Sequence, residues 1–297
     1  MPERPLLLCF DDELAAAQRI AQAAGIELVV IERHRFPDGE LKLRLPACLN
    51  GPVVVLRSLD HPNEKIVELL LAGQTARQLG AGHLTLLAPY LAYMRQDKAF
   101  HPGEAVSQRI VGGFLASLFD AVITVDPHLH RVATLEQAVP VPQAVVLSGA
   151  PLLSDLIARH HHAPVLLGPD EESAQWVARA ALRHGFDHAV CHKVRSGDKQ
   201  VAIALPSIPL AGRDVVLLDD VASTGRTVAQ TARLVLQAGA AHVDVAITHA
   251  LFADDALQII HEAGACEVWS TDCIAHSTNA VAMAPLLAQA LQALHTQ

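Results

Sequence analysis

Gly212-Arg-Asp-Val-Val-Leu-Leu-Asp-Asp-Val-Ala-Ser-Thr-Gly-Arg-Thr227 is the stretch on which the reading of this chain turns. Val215–Leu218 is an unbroken apolar run, the pattern of a strand covered on both faces in a parallel sheet. Asp219 and Asp220 follow at its carboxyl end, where open α/β sheets bind ligands. Ser223, Thr224, Gly225 and Thr227 then lead into a helix whose first backbone N–H groups have no intrahelical partner. Backbone donors, hydroxyls and the positive end of the helix dipole converge there on one anion. Carboxylates beside a phosphate cradle suit a ligand with hydroxyls at one end and phosphate at the other, and ribose 5-phosphate is such a ligand. A capped helix after a buried strand would explain the hydroxyls but not two consecutive acids closing an apolar run.

The same strand–helix–strand unit occurs earlier. Gly51-Pro-Val-Val-Val-Leu56 precedes a helix with Ile66, Leu69, Leu70, Gly73, Ala76 and Leu79 on one stripe, and then Gln78-Leu-Gly-Ala-Gly-His-Leu-Thr-Leu-Leu87. In the later copy a helix over Thr224–Ala238 precedes Gln237-Ala-Gly-Ala-Ala-His-Val-Asp-Val-Ala246. Other unbroken runs, at His83–Leu91, Ala121–Asp126, Pro164–Gly168, Ala189–His192, Val243–His249 and Glu267–Ser270, alternate with helical patterns such as Ala256–Ala263. The fold class is therefore α/β with mostly parallel sheets. Two copies are too few for a solenoid and fit two related domains, 1–143 and 144–297, divided near Val139–Pro142. Met283, Leu286, Leu287, Ala290, Leu291 and Leu294 share one stripe of a C-terminal helix that can bury against either half or another subunit. The loop of the first copy reads Arg57-Ser-Leu-Asp-His-Pro-Asn63, without the paired acids or the Ser-Thr-Gly run.

Composition narrows the function. The net charge of −9 argues against nucleic acid or anionic membrane as a partner. Hydrophobic residues at 51% against 18% charged argue against disorder. Cys9, Cys48, Cys191, Cys266 and Cys273 are scattered with no CxxC pair, so they read as buried thiols in a reducing compartment. The run Pro5–Phe10 leads straight into Asp11, Asp12 and Glu13, unlike a signal peptide. The uncharged stretches Gln137–Ser154 and Cys273 onward carry prolines or polar residues unsuited to a bilayer span. A soluble, cytoplasmic protein is expected. His160-His161-His162 reads as a solvated helix end.

The Asp219 loop resembles the phosphoribosyl-diphosphate (PRPP) binding motif of type I phosphoribosyltransferases and PRPP synthetases. Phe36-Pro-Asp-Gly-Glu40, Pro89-Tyr-Leu-Ala-Tyr-Met-Arg-Gln-Asp-Lys98, Asp126-Pro-His128, Gly168-Pro-Asp170 and Lys193-Val-Arg195 resemble, in order, signatures of the ribose-phosphate diphosphokinase (PRPP synthetase) family. The resemblance spans nearly the whole chain. It implies two tandem phosphoribosyltransferase-like (type I) domains, only the second with the ribose-phosphate loop. It implies transfer of the diphosphoryl group of ATP to the 1-hydroxyl of ribose 5-phosphate, with Mg²⁺, in a homo-oligomer whose nucleotide site is shared between subunits.

On this resemblance Phe36 stacks on adenine, and Asp38 and Glu40 bind its polar edge. Arg95 and Gln96 contact the ATP phosphates, with Asp97 in support. His128 and Asp170 form the metal site. Lys193 and Arg195, ahead of the turn Ser196-Gly-Asp198, belong to a catalytic loop whose cations neutralise charge on the transferring group. Asp219 and Asp220 take the ribose hydroxyls; Ser223, Thr224, Gly225, Arg226 and Thr227 take the 5-phosphate. The chain departs from the family at Pro127, at His130-Arg131 in place of a glutamine-containing continuation, at Ser223 where an acid is commonest, and at Arg226 where Gly is commonest. The Ser-Thr-Gly version resembles the archaeal-type loop. Two rivals remain: a phosphoribosyltransferase consuming PRPP, which would not need the Phe36 segment, and a silent regulatory subunit, which would not need Lys193 and Arg195.

Overall fold

The computed structural model describes residues 5–196 and 200–295. The chain falls into two compact units, Met1–Leu147 with Met283–Gln297, and Ser148–Ala282.

The first unit runs β1 (Leu6–Cys9), α1 (Leu14–Ala24), β2 (Glu27–Val30), β3 (Glu32–Arg35), β4 (Leu41–Arg44), β5 (Gly51–Leu56), α2 (Pro62–Gln78), β6 (Ala81–Ala88), α3 (Ser107–Leu118), β7 (Ala121–Val125), α4 (Leu135–Ala138) and β8 (Gln143–Leu147). Six strands form one sheet in the order β2-β1-β5-β6-β7-β8, parallel throughout. Strands β3 and β4 form a separate antiparallel hairpin. The C-terminal helix, Ala284–His295, returns to pack on α1, β7 and β8, and the Gln292 side-chain amide donates to the Ala24 carbonyl at 3.1 Å.

The second unit runs α5 (Ala150–His160), β9 (Val165–Gly168), α6 (Ala174–His184), β10 (Asp187–Val190), β11 (His192–Ser196), β12 (Gln200–Ala204), β13 (Asp214–Ala222), α7 (Arg226–Gln237), β14 (His242–Ala250), α8 (Ala256–Glu262), β15 (Val268–Thr271) and β16 (Asn279–Val281). Its parallel sheet has the order β10-β9-β13-β14-β15-β16, so both units share one topology. The likeness extends to the hairpin, since β11 and β12 pair antiparallel just as β3 and β4 do. The unbroken apolar runs now have a cause. Val215, Leu217, Val243 and Val245 enter a core under α7, while Val216, Leu218 and Ala246 enter the opposite core with residues of α5 and α6. Alternate residues feed opposite layers, so no polar face interrupts the pattern.

Two readings of the sequence need correction. Strand β13 does not stop at Leu218 but continues to Ala222, and the following helix starts at Arg226. The histidine run is solvated only at its ends. His160 and His162 are exposed, whereas His161 is buried between Asp214 and Asp244.

The reading of all five cysteines as buried thiols also needs correcting: Cys9, Cys191 and Cys273 are buried, but Cys48 and Cys266 are exposed. Burial, with the charges of Glu13, Asp12 and Asp11, pushes the Cys9 thiol up to about 11. Burial and Asp170 push Cys191 up to about 12. Because the thiolate is the reactive form, an aromatic disulfide reagent at pH 8 should titrate two thiols quickly and the other three only on unfolding. Rapid reaction of Cys9 or Cys191 would contradict this assignment. No described helix is long and apolar enough to cross a membrane.

Candidate functional site

Strand order reverses beside β9, with β10 on one side and β13 on the other. Loops leaving β9 and β13 turn to opposite faces there and open a crevice at the carboxyl edge of the sheet. Strand β13 last pairs with β9 at Leu217↔Leu167, yet keeps β14 as neighbour through Val221↔His249 and Ala222↔Ala250. Asp219 and Asp220 therefore sit, side chains alternating, on the stretch of β13 that has outrun β9 beside the crevice.

Asp170 comes from the loop after β9. Its Oδ1 accepts the Glu172 N–H at 3.0 Å, and its Oδ2 pairs with Lys193 Nζ at 2.7 Å. The Asp220 N–H donates to Asp219 Oδ1 at 3.0 Å. Burial, then the charges of Asp220 and Asp170, drive the Asp219 carboxyl well above its ordinary value. Lys193 is the balancing cation. Burial opposes its charge, but Asp170, Glu172 and Asp219 outweigh that and raise its pKa. It stands on β11, opposite Ile203 of β12. Arg195 follows two positions along the same strand; its side chain, like the turn residues Gly197 and Asp198, lies outside the described residues.

The segment Ser223–Thr227 is braced from behind. The Phe252 N–H donates to the Ala222 carbonyl at 3.0 Å, and the Ala253 N–H to the Ser223 carbonyl at 2.9 Å. Gly225 begins α7 at φ 67°, with no side-chain cap. A Cβ there would lie 2.9 Å from the Ala256 carbonyl oxygen and 3.1 Å from Ile260 Cδ1. Both the left-handed backbone and the close approach require glycine. The first-turn N–H groups of α7 are thus left for an anion, beside the hydroxyls of Ser223, Thr224 and Thr227.

The corresponding crevice of the first unit, between β1 and β5, holds Arg57. Its guanidinium donates to both Asp12 oxygens at 2.9 Å and to Glu13 at 3.0 Å. It also pairs with buried Glu68 and lies 4.6 Å from the Phe10 ring centroid. Burial opposes this charge, yet Glu13, Glu68 and Asp12 raise the Arg57 pKa above its ordinary value. Where the second unit is open and acidic, the first is closed by an internal ion network.

That network extends to the β3–β4 hairpin. Arg33 of β3 pairs with Glu68 and Asp11, each at 2.6 Å, and Arg35 pairs with Glu64 of α2 at 2.7 Å. The two arginines hold the β3–β4 hairpin on α2. Its turn carries Phe36, 40% exposed, with Asp38 Oδ1 accepting the Glu40 N–H at 3.1 Å. A groove of about 290 Å³ beside it is lined by Arg35, Gly39, Glu40, Leu41, Glu64 and Val67. Arg95 is exposed in the loop after β6, and Gln96 Nε2 donates to the Lys98 carbonyl at 3.0 Å. Asp97 is buried and accepts from Arg131 at 2.6 Å. His128 lies after β7, its ring 4.3 Å from that of His130 in an edge-on contact.

A family model described as the N-terminal domain of ribose phosphate pyrophosphokinase matches residues 6–118, and a phosphoribosyl transferase domain model matches 143–282. "Ribose-phosphate pyrophosphokinase" of Methanopyrus kandleri is 34% identical over 292 residues, 97% of this chain and 99% of its own. "Ribose-phosphate pyrophosphokinase 1" of Archaeoglobus fulgidus is 35% identical, covering 93% of this chain and 95% of its own. The chain belongs to the ribose-phosphate pyrophosphokinase family. A crystal structure of phosphoribosylpyrophosphate synthetase from Mycobacterium smegmatis, 24% identical, matches the fold with a TM-score of 0.87 over 99% of both chains.

Within this pyrophosphokinase-family chain, the second unit brings Asp170, Lys193, Asp219 and Asp220 together and sets Ser223–Thr227 on the same crevice. In the first unit Phe36, Asp38 and Glu40 share the hairpin turn, while Arg95, Gln96 and Asp97 share a separate loop. Sequence reasoning missed Arg131, noted only as a departure, as the clamp on Asp97. It also missed the brace from Phe252 and Ala253. Both depend on pairings distant in sequence, for which a single sequence carries no signal.

Proposed function

We propose that this protein transfers the diphosphoryl group of ATP to the 1-hydroxyl of ribose 5-phosphate, giving PRPP and AMP. The observation that carries the reading is the meeting of three carboxylates, one lysine and a glycine-started helix at the crevice of the second unit, where the first unit holds Arg57 instead. Asp219 and Asp220 accept the ribose hydroxyls. The Ser223–Thr227 segment holds the 5-phosphate, with Arg226 adding a cation. The 1-hydroxyl oxygen bonds to the β-phosphorus as the bond from that phosphorus to the α-phosphate oxygen breaks, and AMP departs. Such transfer rests on positioning and on stabilising charge. Lys193 and Arg195 supply that charge as the catalytic cations. Phe36, Asp38 and Glu40 bind adenine, and Arg95 and Gln96 the polyphosphate, on a loop fixed through Asp97 to Arg131.

Magnesium fits the donor set. Burial, then the crowded charges of Asp220 and Asp170, raise the Asp219 carboxyl, and carboxylate oxygens are the ligands a hard cation takes. Asp170 and His128 are the residues proposed to hold it, and when bound it would offset charge on the polyphosphate. The nucleotide site is proposed to be shared in a homo-oligomer, and the protein to act in the cytoplasm. The first-unit family match over residues 6–118 goes against a lone phosphoribosyltransferase.

The test is AMP release with ATP, Mg²⁺ and ribose 5-phosphate. AMP should appear only when the sugar is present, in step with PRPP. No AMP at saturating substrates would overturn the proposal.

Asp219→Asn separates binding from stability. A carboxyl whose folded pKa lies above its unfolded value of about 3.9 destabilises the fold once ionised. Without ligand, the variant should therefore melt a few degrees higher at pH 7. This gain should vanish below about pH 4, where the wild-type carboxyl is protonated in both states. Its KM for ribose 5-phosphate should rise at least roughly tenfold, one hydrogen bond to a charged group. Calorimetry and steady-state kinetics check the two halves, and an unchanged KM would remove Asp219 from the sugar site.

A further inference from the structure

At the opposite, amino edge of the second sheet lies a cluster that the proposed reaction does not use. His161 is the first residue after α5, and His242 and Asp244 share one face of β14 as its first and third residues. His161 Nε2 is 2.7 Å from Asp244 Oδ2, and His242 Nε2 is 3.0 Å from Asp244 Oδ1. One ligand atom from each of the three residues lies within 4.8 Å of the other two. Asp214, which opens β13 and pairs in register with His242, places Oδ2 2.9 Å from His161 Nδ1. Five residues of strand, about 16 Å, separate Asp214 from Asp219, so this cluster is distinct from the crevice.

We propose that His161, His242 and Asp244 form a binding site for a divalent transition metal of the zinc class. Two imidazole nitrogens and one carboxylate oxygen are a borderline-soft donor set, suited to Zn²⁺ or Co²⁺ and unsuited to Mg²⁺. The two rings are already placed for it. Their centroids are 5.7 Å apart, and two imidazoles on one tetrahedral zinc at the usual Zn–N length put them about 5 Å apart. Asp214 supplies the outer partner that a metal-bound histidine commonly has, accepting from Nδ1 and leaving Nε2 for the ion. The Glu267 N–H, 2.9 Å from Asp244 Oδ1, orients the carboxylate in turn. Trp269, with its ring 6.2 Å from that of His161, gives the site an apolar wall. Side-chain exposures of 7% at His161 and 2% at Asp244, against 38% at His242, leave one side open for entry. The metal takes the place of the contacts now joining the two imidazoles to Asp244.

The full chain, stripped with EDTA and desalted, should bind one equivalent of Zn²⁺ at micromolar or lower Kd by calorimetry, with a rise in Tm. Co²⁺ should give the visible absorption of a four-coordinate centre. His242→Ala removes the exposed ligand at little cost to the fold; it should weaken binding at least roughly tenfold and abolish the Tm rise. Asp214→Asn should weaken binding by about 10–100-fold, and unchanged affinity there would overturn its bracing role. Asp220→Asn, at the other edge, should keep the equivalent. The proposal fails if stripped protein takes up no zinc, if the cluster proves a protein-only ion network insensitive to His242→Ala, or if Asp220→Asn removes the ion instead.

Discussion

Lys193→Ala should lower kcat by roughly two to four orders of magnitude while changing the KM for ribose 5-phosphate no more than a few-fold. Lys193 touches Asp170, not the Ser223–Thr227 cradle, so sugar-phosphate binding does not depend on it. Its ammonium is held charged by Asp170, Glu172 and Asp219, on a hairpin beside the crevice. A phosphoryl transition state carries its charge on oxygens that need such a cation, and a lost donor to developing charge costs kcat rather than KM. The side chain is 43% exposed, so its removal should leave the fold almost unchanged and a matching thermal melt can verify this. Wild-type turnover in Lys193→Ala would sink its catalytic assignment, and the same value in Arg195→Ala would remove the pair.

Arg57→Ala should destabilise the first unit by about 3–5 kcal/mol, the cost of removing one member of a buried ionic cluster. The guanidinium is 2% exposed and serves Asp12, Glu13 and Glu68 at once. Without it buried Glu13 keeps only the Ser58 N–H and the charge of Lys65, and Glu68 keeps Arg33. The pH dependence follows from Glu13. Burial already raises its pKa in the intact network, despite Arg57. Removing the cation raises it further, so as pH falls the carboxyl protonates and the repulsion eases. The gap between wild type and variant should therefore be widest near pH 7 and should narrow toward pH 5. Urea unfolding at both values measures it, and a gap of equal size at each would mean that lost packing, rather than charge, sets the cost.

The parts of the molecule legible in the sequence share one physical cause. Strands buried on both faces leave unbroken Val, Ile and Leu, and the apolar runs singled out overlap strands of the two sheets, except that Ala189–His192 straddles the end of β10 and the start of the β11–β12 hairpin. The Asp219–Thr227 loop was legible because its chemistry is consecutive: acids, hydroxyls and glycine follow one another from the end of β13 to the start of α7. What stayed hidden is chemistry assembled across the chain. Arg131 meets Asp97 because the loops leaving the paired strands β6 and β7 lie together, and His161 meets Asp244 because the end of α5 packs against the start of β14. The overrun of β13 past β9 was equally invisible, since strand length there is set by a neighbour that stops early rather than by local residues. The contrast between Arg57 and Asp219 was half legible. The sequence showed that the two loops differ, but not that one crevice is filled by its own side chains.

The last helix does not belong to the unit it follows. It leaves Ala282 and goes back to cover α1, β7 and β8, with Gln292 closing onto Ala24. During synthesis the amino-terminal half therefore emerges from the ribosome first but is completed last. It must wait for Ala284–His295, made after the whole of the inserted unit. A stop codon just beyond Ala282 would spare the crevice of the second unit and strip the apolar flank from the first.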